Sequence, residues 1–524
     1  MLRFTIFCVA WLAVCFGHAA EITLTVLATT DIHGAIENPG RDGDWLRLAT
    51  LIKRERAAQG EDRVLLIDSG DTLQGSLAGA LSRGEAPSRL MDHLRYDAWA
   101  LGNHDLDYGT ARLVELIAAS KTPVLSGNLT LHGRQLPAYT VVERGGARVA
   151  IIGMNSWFLR HWLWGDDLRD YSVTPAIEAL ETVLPQVMAE RPDAIILALH
   201  GGWGTRTAAG DMEIFAIGKR FPQIDLVLGG HSHKPVAGQV LRSGWFVQAG
   251  AHGRGLARVR LTIDTEAHRV LRKESILLTV PPGTPADPEA RAVVADWLDR
   301  ADAASTEVLA TPPVAVTPDG LPGEDCMMSE MLCRAIAAAA PDCDAVLHGR
   351  HNRYYWSADR EVTLADIFIT IPYENRLATI SVTPAELRLI LDEQLTRRPR
   401  YYRHGIWGLE AVRGVSGHVV ALRDRDGNPW PEDRRITLAL NSFVLAGSGG
   451  RNLRLAAIGA APAAQATDLH LSARDALAAY LRGSPDWSPP RRWFGGEGAP
   501  AGGRDTSATE SESDTDEADS ELPH

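Results

Sequence analysis

From residue 21 to about 280, short apolar runs rich in β-branched residues alternate with polar, glycine-containing loops and longer amphipathic stretches. Residues 22–27, 64–67, 149–152, 194–197 and 226–228 read as buried strands, and their alternation with amphipathic segments predicts an α/β domain over 20–280. Pro281, Pro282, Gly283 and Pro285 then interrupt regular structure. A helix from Pro288 to about Ala304, entered through Asp287 as its cap, makes 281–304 the predicted connection. A smaller second domain is expected over 305–494, with an apolar helix at 329–340 and strands at 345–347, 378–382 and 436–440. Past Phe494 the chain turns to Gly, Ser, Thr and acid, too poor in apolar residues to order itself, so 495–524 is expected to be a disordered acidic tail.

Length supports two domains, because 524 residues exceed the roughly 250–300 at which one hydrophobic core stops growing. Residues 1–19 carry Arg3, an apolar run from Phe4 to Phe16, and small residues at Gly17 and Ala19, the pattern of a signal peptide cut after Ala19. The mature chain is therefore expected in the periplasm or secreted. The apolar run is shorter than the roughly 20 residues of a spanning helix and nothing later matches it, so no transmembrane anchor is expected. Cleavage would leave Cys326, Cys333 and Cys343; one bridge with one free thiol, or three buried thiols, both suit an exported chain.

The formal net charge is -13, but from Glu497 onward nine acids stand against Arg504 alone. The remaining body is only mildly acidic and lacks the basic stripe that a binder of nucleic-acid polymers needs. A small anionic substrate and a monomeric protein are expected instead.

The chemistry gathers just after predicted strands, where open α/β sheets build their sites. Asp31-Ile32-His33, Gly70-Asp71, Gly102-Asn103-His104-Asp105, His200 and Gly230-His231-Ser232-His233 come in that order. Singly, a histidine at a strand end or a Gly-Asp turn is ordinary. Together, these oxygen and imidazole donors suit a divalent zinc, manganese, iron or cobalt ion, with no thiolate nearby.

This set resembles the calcineurin-like metallophosphoesterases, and Asp71-Thr72-Leu73-Gln74-Gly75-Ser76 with Leu106-Asp107-Tyr108-Gly109 narrows it to the bacterial periplasmic 5'-nucleotidases and their 2',3'-cyclic-nucleotide phosphodiesterase relatives. The resemblance implies an α/β fold: a layered β-sandwich flanked by helices, then an α+β C-terminal domain that binds substrate. It implies two divalent metal ions, one held by Asp31, His33 and His233, the other by Asn103, His200 and His231, with Asp71 bridging. A hydroxide between the two cations would attack the phosphoryl group. His104 corresponds to the family's catalytic histidine, with Asp107 either orienting it or capping the helix after it. Asp68 and Asp105 fit hydrogen bonding that steadies the ligand loops, or solvated turns.

In the second domain, His348-Gly349-Arg350-His351-Asn352-Arg353 stands where the family has Gly-Gly-Ile-Arg, so Arg353, with Arg350 as an added cation, resembles the phosphate-reading arginine. Pro372-Tyr373-Glu374-Asn375 resembles Pro-Phe-x-Asn, which makes Asn375 a candidate substrate contact beside Asn103. After Gly447-Ser448-Gly449-Gly450 comes Arg451-Asn452 instead of Asp-Gly-aromatic, leaving Tyr373, Trp407 or Phe443 as candidates to stack a base. The resemblance implies hydrolysis of nucleotide phosphate esters. A cyclic-nucleotide phosphodiesterase or another phosphate- or sulfur-ester hydrolase is the alternative on the same site, and a non-catalytic binding protein is disfavoured because every expected ligand is present.

Overall fold

The structure, a computed structural model, describes residues 21–38, 43–203, 213–397 and 403–496. The expected signal peptide lies outside the described residues, as does the expected acidic tail from 497 onward. Gly495 and Gly496, read as tail, instead finish the strand Phe494–Gly496, which pairs with Glu410–Arg413.

Two six-stranded sheets share one core. The first runs, in spatial order, Arg269–Thr279, Gly255–Asp264, Glu21–Thr29, Val64–Asp68, Ala98–Ala100 and Val124–Leu125. The second runs Pro235–Leu241, Gly244–Ala249, Leu226–Leu228, Ala194–His200, Ala147–Asn155 and Tyr139–Arg144. Alternation assigns the faces: Val26, Leu65 and Ile67 meet Ile151, Ile196 and Leu228 between the sheets. Leu27 and Leu66 point the other way, into a layer with Trp45, Leu48 and Ile52 of the helix Trp45–Gln59. Helices Ala176–Ala189 and Glu213–Arg220 cover the outer face of the second sheet. Strands buried on both faces read as continuous apolar runs, which is why the parallel ones were legible.

The expected helix after the proline-rich segment is present but broken at Val294, into Pro288–Val293 and Ala295–Ser305; Asp287 caps it by accepting from Ala290 N at 2.8 Å. Beyond it, a five-stranded sheet in the order Gly405–Trp407, Ala345–His348, Ile436–Asn441, Arg376–Val382 and Thr467–Ser472 packs against helices Met327–Ala339, Pro384–Leu395 and Ala473–Arg482. Cys326, Cys333 and Cys343 are all free thiols here, so the bridged arrangement is not adopted; Cys326 and Cys333 are buried in the core under Met327–Ala339. No described helix is long and apolar enough to cross a membrane.

Candidate metal centre and catalytic histidine

The C-terminal ends of parallel strands from both sheets meet at one edge of the sandwich, and the loops leaving them converge. Asp31 and His33 leave Glu21–Thr29, Asp71 follows Val64–Asp68, and Asn103 and His104 follow Ala98–Ala100. His200 ends Ala194–His200, while His231 and His233 follow Leu226–Leu228.

The backbone there is unusual. Asp31, His33, Asp71, His231 and His233 all have positive φ, between 51° and 71°. A left-handed non-glycine residue costs roughly 1–2 kcal/mol, so such a cluster marks a place where side-chain position outweighs backbone comfort. Gly70 and Gly102 let two of the loops touch: a Cβ on Gly102 would lie 2.2 Å from Asp71 Oδ1, and one on Gly70 2.4 Å from Gly102 N. Asp105, 1% exposed, accepts from the backbone N–H groups of Asp71, Thr72, Leu73 and Gly102, and Asp68 accepts from Thr29, Thr72 and Gly70. These carboxylates hold the loops in shape rather than lying in solvated turns.

Two groups of donor atoms result. Asp31, His33 and His233 form one, and Asp71, His200 and His231 the other, with one ligand atom from each residue within 4.8 Å of the others in its group. Asn103 Oδ1 faces His231 Nδ1 at 2.9 Å. Asp71 links the groups: its Oδ2 lies 3.0 Å from His200 Nε2 and 3.9 Å from His33 Nε2, while Oδ1 accepts from His104 N.

The donor chemistry fits cations. His200 gives its Nδ1 proton to the Ser69 carbonyl at 2.7 Å, so Nε2, 3.0 Å from Asp71 Oδ2, is the atom at which a proton or a cation meets that carboxylate. Gln74 donates its amide to the Pro372 carbonyl and accepts from His33 Nδ1, which turns the lone pair of His33 Nε2 toward His233 Nε2, 3.0 Å away. Two imidazole nitrogens this close need a proton or a cation between them. Burial, with neighbouring histidines adding to it, holds His33 at about 4, His231 at about 3 and His233 well below the usual range, so all three are the neutral imidazoles that ligate metals. Burial and Asp71 push Asp31 up to about 8 despite nearby His200, and burial alone would depress His200, yet Asp71 lifts it to about 10. The pocket is short of positive charge.

His104 lies beside the donor groups, its ring 5.3 Å from that of His33. Its Nδ1 donates to Asp107 Oδ2 at 2.8 Å. Burial opposes the charge, but Asp107 and Asp71 outweigh it and raise His104 to about 9. Asp107 is not a cap: the helix Thr110–Ala119 begins after Gly109 with no side-chain cap. Tyr373 stacks on His104, centroids 5.1 Å apart and planes 15° from parallel.

The other substrate candidates scatter. Asn375 is buried, its carbonyl accepting from Ala473 N and its side-chain Nδ2 lacking a partner. Phe443 lies 5.4 Å from the ring of Trp162, which stands 4.8 Å from that of His231. Arg350 donates to the Gly320 carbonyl, and Arg353 is exposed. Trp407 is not brought to the donor groups: it donates to Glu330, packs beside Trp493 and is covered on one face by Arg425. Sequence reading missed Trp162, Gln74, His252 and Arg474. The aromatic run Trp157 to Trp164 and the strand-end His252, 5.3 Å from His233 between ring centroids, were visible signals; Arg474, in the first turn of the helix Ala473–Arg482, offered none.

The family described as calcineurin-like phosphoesterase matches residues 24–235. The endonuclease YhcR of Bacillus subtilis is 22% identical over 484 residues, covering 86% of this chain and 39% of that protein. Human 5'-nucleotidase is 27% identical over 372 residues, covering 62% of this chain and 61% of its own length. The chain spans between 38% and 61% of the length of the curated relatives it matches. A 5'-nucleotidase precursor from Thermus thermophilus shares the fold, with a TM-score of 0.69 at 21% identity over 91% of this chain and all of that one.

Proposed function

The chain belongs to the calcineurin-like, metal-dependent phosphoester hydrolases of the 5'-nucleotidase family, and from that premise we propose that it hydrolyses phosphate esters of nucleotides with two divalent metal ions outside the cytoplasm. The observation that carries the reading is Asp71 standing between two donor groups beside a histidine paired to its own carboxylate. Asp31, His33 and His233 would hold one ion and Asn103, His200 and His231 the other, with Asp71 shared. Bound there, the ions would polarise phosphoryl oxygens and supply a nucleophile at neutral pH.

The chain's own residues supply the rest. With Nδ1 committed to Asp107, Nε2 of His104 carries the proton that passes to the leaving oxygen. Asp107 keeps the ring charged and fixes its tautomer. Tyr373 covers one face of the ring and limits water there. The division into residues 20–280, 281–304 and 305–494, the cleaved signal peptide and the monomeric state belong to the same reading.

The test is hydrolysis by the purified mature chain of nucleoside mono- and diphosphates, followed as phosphate release, and of cyclic nucleotides and single-stranded DNA, followed by chromatography of the products, each with and without complete chelation. Chelator-sensitive release from nucleotides, with the polymer spared for want of a basic stripe, is expected. Preference for the polymer would overturn the substrate assignment.

A further inference from the structure

A cavity of about 830 Å³ opens on one of the two donor groups, and His33, His233 and Tyr373 form part of its wall. Such a volume suits a small-molecule site. Apolar side chains make up more of the remaining lining than polar ones, with Glu37, Lys234, Arg254 and Asp302 among the latter. Leu298 and Ala301 come from Ala295–Ser305, Phe368 and Ile369 from Leu364–Thr370, and Leu277 and Leu278 from Arg269–Thr279. Phe368 and Ile369 are only half-buried. Large apolar side chains turned toward an open cavity forgo burial that a ligand would restore.

Direction follows from His104. Its proton goes to the leaving oxygen, so the alcohol part of the ester departs from His104's side of the site. Tyr373, lying on His104, is also cavity wall. This space therefore adjoins both Tyr373 and the His33–His233 pair, whereas Trp162 and Phe443 flank His231 instead.

We propose that this cavity is the leaving-group pocket and that it favours phosphate esters whose alcohol part is bulky and mainly apolar; the inference rests on the phosphoesterase reading above. An ester's phosphate meets the donor groups while its alcohol lies between the helices Ala295–Ser305 and Leu364–Thr370.

The test is a series of n-alkyl phosphates from ethyl to octyl on the metal-loaded full chain. Each methylene buried should raise kcat/KM by up to about fourfold. In Ala365→Trp and Ser305→Trp, which put bulk into the cavity from two partly exposed positions, the octyl-to-ethyl ratio of kcat/KM should collapse at least tenfold. Thermal denaturation identifies whichever variant is folded, and the wild-type series stands without either. A flat series on an active enzyme, or an unchanged ratio in a folded variant, overturns this inference alone. Failure of the metal-loaded protein to hydrolyse any ester would overturn the phosphoesterase reading, and the pocket assignment with it.

Discussion

The phenol ring of Tyr373 lies over the imidazole of His104, 5.1 Å away and 15° from parallel, joining the C-terminal sheet to the edge of the sandwich. The strap carrying Tyr373 is pinned along its length. Gln74 donates to the Pro372 carbonyl at 2.6 Å, Arg474 to that of Ile371 at 2.7 Å, and Ala473 to that of Asn375 at 2.8 Å. Gln74 is also the residue that turns His33, so one side chain sets both a metal-facing imidazole and the cover over the catalytic one.

Tyr373→Ala should therefore lower kcat, by the roughly 2- to 10-fold that corresponds to the ~0.5–1.5 kcal/mol of an aromatic pair. Tyr373→Phe keeps the ring and should retain most of it. Saturation kinetics on a nucleotide substrate decides; equal losses in both variants would assign the effect to the hydroxyl.

Asp107→Asn removes the nearest carboxylate from His104, whose value is raised to about 9 against the pull of burial. The charged ring is the working form, so activity persists up to its pKa and falls above it. The variant's alkaline limb should move to lower pH, and turnover at neutral pH should fall by roughly 10²- to 10⁴-fold if proton transfer is lost outright. An unmoved limb in the pH–rate profile would take Asp107 out of that role.

Arg474 is 4% exposed, pairs with Glu374 at 2.7 Å and lies 4.1 Å over Phe368. Arg474→Ala leaves the half-buried Glu374 carboxylate without this partner, and the about 3–5 kcal/mol that breaking a fully buried pair costs is the upper bound for the loss. Chemical denaturation should show that loss, and Arg474→Met with Glu374→Gln should recover part of it.

His348 is buried and His351 half-buried, and loss of hydration lowers them to about 4 and about 3, the latter helped by His348 and Arg474. A histidine depressed in the folded state stays neutral there while its unfolded counterpart takes up a proton near 6.5. Their contribution is thus fully present above about pH 6.5 and is lost as pH falls toward the folded values. Urea unfolding at pH 7, 5.5 and 4.5 should show stability dropping less steeply in His351→Gln than in the wild type.

Much of this was legible in the chain because parallel strands buried on both faces are continuous apolar runs, and loops at their ends must carry whatever chemistry the edge performs. Asp31, His33, Asp71, His200, His231 and His233 stood out as strand-end residues, and the resemblance to the metallophosphoesterases gave them their expected roles. Antiparallel hairpins such as Gly255–Asp264 with Arg269–Thr279 were not, since the outer strand is half polar and looks like loop. Trp407 was offered as a base platform only because the expected aromatic after Gly447-Ser448-Gly449-Gly450 is missing, whereas Glu330 and Trp493 hold it in packing. Arg474 and Gln74 act across contacts between distant segments, which no local pattern encodes.

Metal content measured alongside activity tests the central claim most directly. Elemental analysis of the purified mature chain should find two divalent ions per molecule. Complete removal should abolish nucleotide hydrolysis, restoration should return it, and Asp71→Ala should lose both the ions and the activity. Full hydrolysis by a protein proven free of metal would contradict the account.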